Sequence, residues 1–127
     1  MPATAMNHFT ILTDKLDETV SFYRELLELE TGERPPFKFP GAWMYSNGQA
    51  ILHIIAGKAL PEERAGVIDH MAFSATGLLE TLEKLKAHSI ESDLRRLPDS
   101  GLWQLFFLDP NGAKVEIDFV ASEPGPA

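Results

Sequence analysis

The chain has 127 residues, 44% of them apolar and 24% charged, with eleven basic against nineteen acidic side chains, a net charge of −8 and no cysteine. A domain of this size builds one core with no room for a separate cofactor domain, and its ordinary composition excludes disordered, collagen-like and coiled-coil chains. The acidic balance argues against nucleic acid and anionic lipid as partners, and the missing thiols exclude disulfides, thiol nucleophiles, thiolate zinc sites and iron–sulfur clusters, so a metal must be held by nitrogen and oxygen.

The N-terminus, Met1-Pro2-Ala3-Thr4, has no charged region followed by an apolar stretch, and no apolar run approaches the ~20 residues that span a bilayer. The expectation is a soluble, cytoplasmic protein with no membrane partner. Residues 7–12, Asn7-His8-Phe9-Thr10-Ile11-Leu12, read as a β-strand. A helix follows, with Val20, Tyr23, Leu26 and Leu27 at helical spacing, Asp17 as N-cap and Glu18 in the first turn. Pro35, Pro36, Pro40 and Gly41 break the next stretch into extended pieces and turns. Trp43-Met44-Tyr45 and Ile51 to Ile55, joined across Asn47-Gly48, predict a hairpin.

After a polar linker from Gly57 to Gly66 the order of elements returns. Asp69 to Ser74 reads as a strand, Leu78 to His88 as an amphipathic helix, Leu102 to Leu108 as a strand, Asp109-Pro110-Asn111-Gly112 as a turn and Lys114 to Phe119 as the last strand. The offsets between His8 and His70, Asn47 and Asn111, and His53 and Glu116 are 62, 64 and 63 residues, as a duplicated unit requires. The predicted fold class is therefore α+β, two tandem βαβββ modules over about residues 6–57 and 67–120 of a single domain, with poorly marked middle strands and a loose tail over 121–127. One module leaves a sheet face uncovered, so two must pack together.

Side chains alternate across a strand, which separates His8, His53, His70 and Glu116 from their apolar neighbours. If the two units curl those faces into one concavity, four potential ligands converge. Imidazoles with a carboxylate and open positions suit a divalent metal: iron, nickel, zinc or manganese. Such a metal would polarise two neighbouring oxygens of a substrate, stabilising an enediolate or catecholate, while Glu116 or another unligated base moves a proton. His53 reads equally as a fourth ligand or as a pocket wall, and His88 as a solvated residue at a helix end. Trp43 and Gln104 are candidates for substrate contact. Arg34, Lys38, Arg95 and Arg96 are candidates for an anionic substrate group, with solvated loop charges as the plainer reading.

Asn7-His8, the Ser21-to-Leu27 helix, Asp69-His70-Met71-Ala72-Phe73 and above all the string from Gln104 to Glu116 resemble the vicinal oxygen chelate superfamily of glyoxalase I, extradiol dioxygenases, fosfomycin-resistance enzymes, methylmalonyl-CoA epimerase and bleomycin-resistance proteins. The resemblance implies paired βαβββ modules forming a curved mixed sheet around a metal-binding cleft, usually in a homodimer, with His8, His70 and Glu116 as metal ligands. His53 stands where glyoxalase I and the epimerase carry a glutamate or glutamine. The implied function is a small metal-dependent enzyme, lyase, isomerase or dioxygenase, acting on a small molecule that offers adjacent oxygens. The alternative is a binding protein of the bleomycin-resistance kind, whose members generally lack the metal trio.

Overall fold

The computed structural model describes residues 2–127. The first module runs β1 (Phe9–Thr13), α1 (Leu16–Leu27), β2 (Glu30–Thr31), β3 (Gly41–Ser46) and β4 (Gln49–Ala56). The second runs β5 (Met71–Ser74), α2 (Leu78–Ala87), β6 (Ser92–Arg96), β7 (Trp103–Leu108) and β8 (Lys114–Phe119). Each module forms one four-stranded sheet, in the orders β1-β4-β3-β2 and β5-β8-β7-β6, with the first pair parallel and the others antiparallel. The predicted duplication is thus a repeat of topology as well as of spacing. Among the described residues no helix is long and apolar enough to cross a membrane.

Local chemistry explains most of the boundaries. Asn47 and Gly48 both have positive φ, 51° and 77°, which is the conformation a two-residue hairpin turn demands. Helix α1 begins two residues earlier than expected: Lys15, not Asp17, occupies the N-cap position, and Asp17 lies with Glu18 in the first turn, where their charge still faces the positive end of the helix. The middle strands carry little signal because β2 has two residues and β6, Ser92-Asp93-Leu94-Arg95-Arg96, buries only Leu94 in part.

The two sheets share one core. Phe22, Tyr23, Leu26, Met44, Leu52 and Ile54 of the first module join Met71, Leu78, Leu85, Leu105, Phe107, Val115, Ile117 and Phe119 of the second in a single buried cluster. Helix α1 reaches across the module boundary, where the Phe22 and Phe107 rings lie 5.9 Å apart. A buried polar network closes the same seam. The Thr13 hydroxyl donates to Asn111 Oδ1 at 2.6 Å, Asn111 Nδ2 donates to Thr19 Oγ1 at 3.0 Å, and the Tyr23 hydroxyl donates to Asp109 Oδ2 at 2.7 Å. Asp109 Oδ1 accepts the backbone N–H groups of Asn111 and Ala113, which shapes the turn itself. Burial, then the Asp109 charge, holds the Tyr23 pKa well above its ordinary value.

The C-terminal segment departs from the loose tail expected of it. The Glu123 carboxylate accepts the N–H groups of Gly77 at 2.9 Å and Leu78 at 3.2 Å, supplying the cap that α2 lacks from its own N-cap residue, Gly77. Trp103 Nε1 donates to the Glu123 carbonyl at 3.1 Å, so the same residue anchors an indole on β7.

Candidate metal centre

The shared core decides where the titratable residues go. Leu52 and Ile54 are buried, so His53 between them projects to the opposite face of the first sheet, and Val115 and Ile117 do the same for Glu116 on the second. The registers are equivalent: Thr10 pairs with His53 on β1 and β4, and Ala72 with Glu116 on β5 and β8. His8 and His70 each stand immediately before the edge strand of their sheet.

Each of these two histidines is oriented by the residue before it. His8 Nδ1 lies 2.7 Å from Asn7 Oδ1, and His70 Nδ1 lies 2.8 Å from Asp69 Oδ2. A ring that donates from Nδ1 leaves Nε2 as its lone-pair nitrogen, the arrangement in which outer carboxylates and amides hold metal-binding imidazoles. The dipeptides Asn7-His8 and Asp69-His70 therefore work as units, a pairing that the sequence displays but spacing alone does not explain. The His70 hydrogen bond, followed by the charge of Lys114, holds the Asp69 carboxyl below the usual carboxylate range.

The second module assembles the denser half of the site. His70 Nε2 lies 2.9 Å from Glu116 Oε1, and Gln104 Nε2 donates to Glu116 Oε2 at 3.2 Å. Two lone pairs at 2.9 Å repel, so a proton or a cation must lie between Nε2 and Oε1. Glu116 is buried to 5% exposure, and a buried carboxylate needs such a partner. Asp118, two residues on and on the same face, was not singled out by sequence reasoning. Its Oδ1 is the buried side-chain oxygen without a hydrogen-bond partner among the described residues, and burial, then neighbouring Glu116, push its pKa up to about 6. Its alternation with Glu116 along β8 was the available signal.

The first module is built of rings instead. His53 stacks on His8 at 3.7 Å and on Trp43 at 3.9 Å, with interplanar angles of 12° and 11°. Trp43 is the direct cross-strand partner of His53. Burial, followed by the His8 charge, lowers the His53 pKa, which keeps that ring neutral near pH 7. His88 lies elsewhere, paired with Glu25 at 3.0 Å. Arg95 is engaged by Asp93, and Arg96 donates to the carbonyls of Gly101 and Ala121.

The structure thus gathers the four expected ligands into two pairs, His8 with His53 and His70 with Glu116. His8 and His70 border one cavity of about 400 Å³ with Met6, Arg64, Ile68 and Asp69. Among the described residues, however, no three histidine or carboxylate side chains of one chain are grouped closely enough to hold an ion. The apolar faces of both sheets meet in the common core, and the four candidates stand on the opposite faces. The donor set itself, two imidazole nitrogens with oriented tautomers and a buried carboxylate, fits a divalent metal of the nitrogen- and oxygen-preferring kind.

Comparison with known proteins agrees with this architecture. Residues 5–117 match the family described as the Glyoxalase/Bleomycin resistance protein/Dioxygenase superfamily. "Glyoxylase I 4" of Arabidopsis thaliana is 30% identical over 122 residues, covering 90% of this chain and 70% of that protein. A putative glyoxalase family protein from Bacillus anthracis superposes with a TM-score of 0.76 at 20% identity over 93% of this chain and 96% of its own. A variant of the fosfomycin resistance protein FosX from Listeria monocytogenes, solved with Mn(II) and 1S,2S-dihydroxypropylphosphonic acid, gives 0.75 at 18% identity over 93% of each chain.

Proposed function

The chain belongs to the glyoxalase/bleomycin resistance protein/dioxygenase superfamily, and from that premise we propose that it is a small metal-dependent enzyme whose substrate chelates a divalent ion through adjacent oxygens. The observation that carries this reading is the pair of oriented imidazoles, each with Nδ1 tied to the preceding side chain, together with the buried carboxylate of Glu116. His8, His70 and Glu116 would hold the ion. When bound, it would polarise two substrate oxygens and lower the barrier to moving a proton or attacking beside them.

The stacking of His53 favours a wall residue over a fourth ligand. Parallel imidazoles 3.7 Å apart direct their in-plane lone pairs along parallel lines, so they do not both reach one ion well; His53 braces His8 against Trp43. Gln104 positions Glu116 by its amide hydrogen bond. Asp118 lies beside Glu116 on β8, with its Oδ1 buried and unpartnered among the described residues.

Because no three of these side chains are grouped in one chain among the described residues, the working form would be a homodimer with His8 from one chain and His70 and Glu116 from its partner. Exposed apolar side chains support this: Met6 is 65% and Ile68 79% exposed beside the two histidines, where the unpaired edge strands β1 and β5 lie.

Elemental analysis of purified protein is expected to find about one divalent ion per chain. Mixing His8→Ala with Glu116→Ala protein tests the shared site: each mixed dimer regains one intact site, so roughly a quarter of all sites bind metal after random exchange, although neither variant binds alone. No metal uptake under native or reconstituted conditions would sink the proposal, and no recovery on mixing would confine the site to one chain. Unchanged small-molecule affinity in both variants would favour the non-catalytic binding protein instead.

A further inference from the structure

We propose that Arg34 is the anion-binding residue of this site and that its substrate therefore carries a carboxylate on a flat, apolar body. This rests on the reading that the His8 face of the first sheet takes a small molecule. Three observations place and free the guanidinium.

The first is position. Gly41 and Trp43 are two residues apart on β3 and share a face, and their β4 partners are Ile55 and His53. A Cβ added at Gly41 would meet the Ile54 carbonyl first and then Arg34 Nη2 at 2.9 Å, so the guanidinium rests beside bare backbone two residues from Trp43.

The second is rigidity. Arg34 Nη2 donates to the Phe39 carbonyl at 2.9 Å, and the guanidinium carbon lies 5.0 Å from the Phe37 ring centre and 5.2 Å from that of Phe39. The third is an unused charge. Among the described residues Arg34 has no carboxylate within ion-pair distance, although the chain carries nineteen acidic side chains. Arg95, which lies over Phe106 on the corresponding face of the second module, is by contrast held by Asp93 through Nε and Nη2, both at 2.8 Å. A guanidinium has five N–H donors in a planar fork, and Arg34 spends one of them. Such a fork matches a carboxylate in two parallel hydrogen bonds.

The surface between Arg34 and His8 defines the rest of the ligand. Phe37 and Phe39, 43% and 36% exposed, stack at 4.9 Å; Phe37 lies 6.4 Å from Trp43, and the parallel rings of Trp43, His53 and His8 continue the row. The stacked Trp43, His53 and His8 cover one another's faces and turn their edges outward, so the surface for a flat apolar body is the exposed Phe37–Phe39 pair beside the guanidinium. One end of the row is the proposed metal ligand and the other is a fixed cation.

The test compares 2-naphthoate with its neutral isostere 2-naphthamide, titrated calorimetrically into chelator-treated full-length protein. The expected result is a naphthoate affinity about tenfold the higher in wild type. In Arg34→Gln the two affinities should fall to within about twofold, while Arg34→Lys, which keeps the charge and loses the fork, should retain a preference of about threefold. Arg95→Gln should leave the preference intact. The lysine variant also decides the matter if Arg34→Gln disorders the loop. Equal affinities or no binding in wild type, survival of the preference in both Arg34 variants, or its loss in Arg95→Gln would overturn the assignment. Because no metal is present, failure of the metal proposal leaves this outcome unaffected, and the reverse holds.

Discussion

The two modules share a topology and a strand register, yet their outward faces differ in kind. At the equivalent cross-strand positions the first module pairs Trp43 with His53 and the second pairs Phe106 with Glu116. One face is a stack of rings with an unpaired arginine at its end; the other holds a buried carboxylate with a histidine and an amide on its two oxygens. Duplication evidently supplies position, and substitution at matched positions supplies chemistry. The buried carboxylate belongs to the second module, and the ring stack to the first.

The modules also differ in how they are tied down. The Asn47-Gly48 turn is exposed, whereas the Asp109-to-Gly112 turn is locked onto β1 and α1 by buried hydrogen bonds. Helix α2 receives its cap from Glu123, and α1 has no side-chain cap at all.

The strongest way to break the comparison is to remove the carboxylate. Glu116→Ala is expected to lower metal affinity by at least about a hundredfold, beyond the range of outer-shell changes, while His53→Gln, at the matching position, should lower it by no more than about tenfold. Equal losses in the two titrations would mean that His53 ligates the ion as Glu116 does. Next in size, Asp69→Ala should weaken metal binding by about 10–100-fold by releasing the His70 ring, and Asn7→Ala by a smaller factor because a neutral amide orients His8 less strongly than a carboxylate.

Tyr23→Phe leaves Asp109 Oδ2 buried without its donor and should destabilise the fold by about 1–3 kcal/mol in denaturant titrations, with no direct effect on either half-site. The raised Tyr23 pKa sets the sign of its pH dependence. The folded state favours the protonated phenol, so this contribution is complete below the ordinary tyrosine value of 10.0 and fades above it, where the unfolded chain ionises first. The difference between wild type and Tyr23→Phe should therefore shrink as pH rises beyond that value. Smallest is Glu123→Ala, expected to lower stability by about 1 kcal/mol through the lost cap, which a modest fall in melting temperature would register.

The sequence by itself determined the duplication, the element order and the face on which each ligand candidate stands, because strand alternation has a period of two and the offsets of 62 to 64 residues tie one module to the other. Asn7-His8, Asp69-His70 and the string ending in Glu116 were legible for the same reason: the residues that orient and hold one another are close in the chain or matched in register. Strand β6 was hard to read because only Leu94 anchors it, and the tail because Glu123 caps a helix that begins 45 residues earlier. Tertiary structure alone decided that the two ligand faces turn away from a common core, since the apolar sides of both sheets lower their free energy by closing on the same cluster. It also decided the place of Arg34, whose guanidinium is held by the Phe39 carbonyl and the Phe37 and Phe39 rings beside Gly41.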